Sequence, residues 1–113
     1  MSITHQLMTE ILFLRQLMET ANRLGEEKNR PMVEPVRQAR NEGLHAILKT
    51  AQLDLDKATL WAYESLNWKG LTPSELRKRM SCLSEADRYV KNCHCSVRQA
   101  LLLSTSVQPP LEL

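Results

Sequence analysis

Cys93-His94-Cys95 is the densest grouping of chemically able side chains in this sequence, with Cys82 eleven residues upstream and His5 and His45 as the other histidines. Zinc wants about four ligands in a tetrahedron, usually delivered in C-x₂₋₄-C pairs. A C-x-C triplet within a helix turns Cys93 and Cys95 about 200° apart, so the two neither share a metal nor form a disulfide. A thiol nucleophile needs a lowered pKa, from a helix N-terminus or a neighbouring base. These cysteines fall late in a helix, where the dipole opposes a thiolate. They are read as small packing side chains, and no metal, cofactor or catalytic residue is assigned.

No Walker-type loop, dinucleotide fingerprint, H-E-x-x-H or nucleophile-elbow pattern occurs. Three glycines in 113 residues leave no phosphate-cradling loop. The expectation is a protein that is not an enzyme. Arg77-Lys78-Arg79, with Arg88, Lys91 and Arg98 further on, forms a basic row of the kind that phosphates attract. Glu75, Glu85 and Asp87 are interleaved with it, and Glu75–Arg79 and Asp87–Lys91 stand at the i,i+4 spacing of surface pairs. A solvated face is the favoured reading, and a nucleic-acid-binding helical module is the alternative. The 15 basic and 13 acidic residues, a net charge of +2, give no overall electrostatic case for nucleic acid or an acidic membrane.

The aromatic and apolar positions are more suggestive. Trp61 and Trp68 lie on one flank of a long helical segment with Ile47. Leu53 and Leu60, seven apart with Ala46, form a line on its far side. These five residues (Ile47, Leu53, Leu60, Trp61 and Trp68) are the candidate partner-binding set, since Trp anchors interfaces out of proportion to its number. Burial of the two tryptophans beside a helix seam is the competing reading.

Three helices must position these groups, at about 2–24, 35–68 and 73–103. In the first, Leu7, Ile11, Leu14, Met18 and Ala21 step by three and four, and Gly25 reads as a stop. Glu26 to Pro35, charged and holding Pro31 and Pro35, reads as a loop. In the second, Leu44, Leu48, Ala51, Leu55, Ala58 and Ala62 form a heptad seam. Gly43 marks a kink there or the start of the regular part. Apolar residues on two sides place this helix between the other two. Gly70 and Thr72-Pro73-Ser74-Glu75 end one helix and cap the next through a capping box with Pro at the first helical position. The third stripe runs Leu76, Met80, Leu83, Ala86, Val90, Cys93, Val97, Leu101. Residues 104–113, with two adjacent prolines, read as a flexible tail.

The fold class expected is therefore all-α: one domain over 1–103, a three-helix up-down-up bundle with a long antiparallel hairpin of helices 2 and 3. Helix 1, being shorter, leaves the upper half of the hairpin uncovered. That seam wants another protein or a second copy of the chain, so a homodimer is an expected partner. No segment approaches the roughly 20 apolar residues of a membrane span. The N-terminus does not read as a signal peptide, and three cysteines with no disulfide framework favour an intracellular compartment, cytoplasmic or nuclear. Leu76 to Tyr89 resembles the third helix of microtubule-interacting-and-trafficking domains, with a basic turn before a Leu-x-x-Ala-acidic-basic segment. Ala58 to Glu64 is similar to a stretch of the small central-element proteins of the synaptonemal complex. Neither resemblance carries a residue role to this chain. The function expected is a non-catalytic protein–protein interaction module, an adaptor or assembly subunit.

Overall fold

The computed structural model describes residues 3–29 and 33–105, and all their regular structure is helical. The order is α1 (Ile3–Asn29), α2 (Glu34–Ser65) and α3 (Pro73–Thr105). The chain is a three-helix up-down-up bundle in which α2 and α3 pack most closely. It is a rod, 66 Å along its length and 20 by 15 Å across.

The three stripes meet as one core. Leu7, Ile11, Leu14 and Met18 of α1 close on Ala51, Leu55, Ala58 and Ala62 of α2 and on Leu83, Ala86, Val90, Cys93 and Val97 of α3. A smaller cluster of Ala21, Leu44 and Ala100 seals one end. On α2 three of the six buried residues are alanines, Ala51, Ala58 and Ala62, with Leu55 the one large, fully enclosed side chain. Small side chains let helix axes approach, and Leu7, Ile11, Leu14 and Met18 of α1 supply much of the bulk that fills the core.

Two contacts fix the axial register of α1. At one end Thr4 and Ser65, both buried, place their hydroxyl oxygens 3.5 Å apart. The Ser65 hydroxyl donates to the Ala62 carbonyl at 2.6 Å, which leaves Thr4 to donate to Ser65. At the other end Gly25 lies against Leu44 and Ser104. α1 therefore spans the hairpin from the level of Ser65 to that of Leu44.

Several expectations are corrected by this arrangement. α1 does not stop at Gly25 but continues to Asn29, because Gly25 serves close packing: an added Cβ would collide with the Leu44 side chain. α1 accordingly covers the hairpin from the level of Ser65 to that of Leu44, and the part left uncovered is its loop end, residues 66–81. α2 is not the middle of a three-layer stack, since α1 also packs on α3. α2 is continuous through Gly43 and ends at Ser65, so Trp68 lies beyond it. The expected loop from Glu26 to Pro35 shrinks, with residues 30–32 outside the described range. Ser104 and Thr105 belong to α3, Ser104 being buried; the rest of the expected tail, 106–113, is likewise outside that range. The Thr72 cap is present, its hydroxyl accepting from the Glu75 backbone N–H at 3.1 Å, and Gly70 takes the left-handed φ of 77° that ends the loop's turn.

Candidate interaction surfaces

The five residues singled out on α2 and after it separate. Trp61 packs as a partly buried side chain against the main core, and Ile47 does the same against the smaller cluster. Leu53 and Leu60 face solvent, 56% and 67% exposed. They stand roughly 10 Å apart on one face at 1.5 Å of rise per residue. Trp68, past the helix end, has Lys78 Nζ 4.4 Å from its ring centroid. The structure thus brings Leu53 and Leu60 together on one exposed face, and keeps both tryptophans apart from them.

The chemistry-bearing residues are dispersed. Cys93 is buried, Cys95 is exposed and His94 faces outward between them. Burial, with Asp54 adding a smaller push, raises the Cys93 thiol to about 11. Cys82 is raised too, by burial first and Glu64 second. Both are neutral thiols at physiological pH. Glu42 and His45 form one Glu-x-x-His pair that sequence reasoning missed, and both are exposed on α2 beside Asn22 and Glu26. Two such pairs are needed to hold a two-metal bundle site. Among the described residues no three His, Cys, Asp or Glu side chains gather where an ion could sit.

The basic row of α3 is interrupted by its own neighbours. Arg88 binds Glu85 at 2.7 Å and Lys91 binds Asp87 at 2.9 Å. Arg88 and Lys57 also flank the Tyr89 ring, at 4.8 and 5.4 Å from its centroid, which ties α2 to α3 across the surface.

A groove between α1 and α3 was not visible in the sequence. One stretch, about 240 Å³, is lined by Leu17, His94, Val97, Leu101 and Leu102 among others. The adjoining stretch, about 400 Å³, is lined by Phe13, Leu14, Val90, Asp87 and Lys91, with His94 shared by both. Phe13 and Leu102 stand exposed at its rims. The floor is apolar and the edges carry both signs of charge, the composition of a helix-accepting groove. The residues responsible sit on two helices, and only their juxtaposition makes the surface. No helix among the described residues is long and apolar enough to cross a membrane. Comparison with protein-family models, curated proteins and solved structures finds no match to this chain.

Proposed function

We propose that this protein is a non-catalytic helical interaction module, an adaptor or assembly subunit, that receives the apolar face of another helix along the α1–α3 groove. The observation that carries the reading is the groove itself: Phe13, Leu17, Val97, Leu101 and Leu102 form an apolar strip running across two helices. An amphipathic helix lays i, i+3, i+4 and i+7 anchors into such a surface. Leu53 and Leu60 on α2 offer a second, smaller contact. A second copy of the chain is the first occupant to test, and an intracellular setting suits its free thiols.

The test is molar mass by light scattering over a concentration series in reductant. A dimer that Phe13→Glu/Leu102→Glu converts to monomer, with helicity unchanged, supports the groove as the self-association surface. If the wild-type chain is a monomer throughout, a photo-crosslinking amino acid at position 13 is used in cells. Adducts at 13 that are absent at the control position 49 support a different protein partner. No dimer and no position-specific adduct would overturn the interaction reading.

A further inference from the structure

A net charge of +2 conceals a strong local excess at one end of the rod. Between Ser65 and Cys82 no residue is buried, so residues 66–81 project past the core. α1 begins at Ile3, beside the level of Ser65, and its described residues offer nothing further to cover them. This projection holds Lys69, Arg77, Lys78 and Arg79 against Glu75 alone, an excess of three. The rest of the chain holds the remaining 11 of 15 basic and 12 of 13 acidic residues, a deficit of one. Glu64 at the border is engaged by the Asn67 side-chain amide at 3.1 Å. The N-terminus of α3 adds its own partial positive charge at the same end.

The same sixteen residues carry exposed apolar side chains. Leu71, at the turn of the loop, is 80% exposed. Leu66 is exposed as well, and Leu76 and Met80 continue the α3 stripe for two turns beyond the helices that would bury it. Gly70 lets the loop fold back toward Leu76 and Arg79, and Lys78 rests on the ring of Trp68. The result is a convex knob, basic and apolar at once.

We infer that this tip docks on the surface of an anionic lipid bilayer, inserting Leu71 and its apolar neighbours while Lys69 and Arg77 to Arg79 meet the headgroups. Charge complementarity names an anionic partner, and shape selects among anionic partners. A convex knob needs a matching concavity on a protein, whereas a lipid interface moulds itself to an inserted side chain. Nearby basic residues and shallowly buried apolar ones supplement each other, and neither set alone anchors firmly. This inference does not depend on the α1–α3 groove, which lies along the side of the rod.

The experiment is co-sedimentation of the full chain with vesicles of 30% phosphatidylserine in phosphatidylcholine, and with phosphatidylcholine alone. Binding is expected only to the anionic vesicles, weakening as salt is raised. Each removed charge is worth roughly fivefold in partitioning, so Lys69→Gln/Arg77→Gln should lower it on the order of twentyfold. Leu71→Glu should abolish it. All three positions are exposed, so circular dichroism and melting should match the wild type. In a Trp61→Phe background, Trp68 fluorescence should shift to the blue on vesicle binding. Equal sedimentation of wild type and Leu71→Glu, or no preference for phosphatidylserine, would overturn the inference. So would tighter binding of poly-glutamate than of vesicles through the same residues, which would assign the tip to an acidic protein.

Discussion

Cys93 shows how far a residue's surroundings decide its chemistry. A thiol raised to about 11 by burial stays protonated in the folded state through the window in which it already ionises in the unfolded chain, near its ordinary value of 9.0. The folded state therefore holds the proton more tightly. The associated stability is complete below pH 9 and is lost as pH rises toward 11. We expect the melting temperature to fall across that window by the equivalent of no more than about 2 kcal/mol. Cys93→Ala, though destabilised by its cavity, should fall less steeply between pH 9 and 11. A wild-type curve that stays flat there would show that Cys93 titrates unperturbed. A disulfide reagent at neutral pH should label the exposed Cys95 at once, and Cys82 and Cys93 only after denaturation. Leu55, like Leu14 and Val97, is a large side chain enclosed completely. Leu55→Asp places a charge with no partner in the core and should abolish the cooperative melt. Retained helicity and melting would place that seam at the surface.

Helix spacing made most of each element legible. Leu44, Ala51, Leu55, Ala58 and Ala62 are buried in the register that their three-four steps predict, as are Leu83 to Val97. Periodicity marks an apolar face; whether a neighbour reaches that face is a separate, tertiary matter. Leu76 and Met80 keep perfect step and stay half exposed because, among the described residues, no other helix extends that far. Leu53 and Leu60 repeat at seven and face water for a different reason: they lie on the side of α2 turned away from the core that Ala51, Leu55, Ala58 and Ala62 enter. Gly25 was misleading in the opposite direction. A glycine after an apolar run usually terminates a helix, yet here it admits Leu44 against the α1 backbone. Gly25→Ala gains up to about 1 kcal/mol of helix propensity. Displacing buried Leu44 should cost more, so we expect a net loss of about 1 kcal/mol. In a Leu44→Ala background the sign should reverse. Denaturant melts of the four proteins form the cycle that measures this, and additive effects would show that the two side chains do not meet.

At the scale of the whole molecule, the α1–α3 groove and the projecting tip both arise from relations between helices, and the sequence records neither pair of neighbours as adjacent. The groove joins Phe13 to His94, eighty-one positions apart in the chain. The tip exists because α3 starts well outside the level at which α1 begins. The connectivity also orders events in time. α2 and α3 are joined by a seven-residue loop and can zip together from Gly70 outward, whereas α1 meets α3 only after the chain has closed across all of α2. Loop closure of that length is entropically slow relative to hairpin formation. The hairpin should therefore form the folding nucleus, with α1 docking on the downhill side of the barrier. Ile11→Val, costing about 1 kcal/mol, should speed unfolding roughly fivefold and leave refolding unchanged. Val90→Ala should slow refolding instead. Stopped-flow chevrons separate the two, and a slowed refolding arm for Ile11→Val would mean that all three helices assemble together.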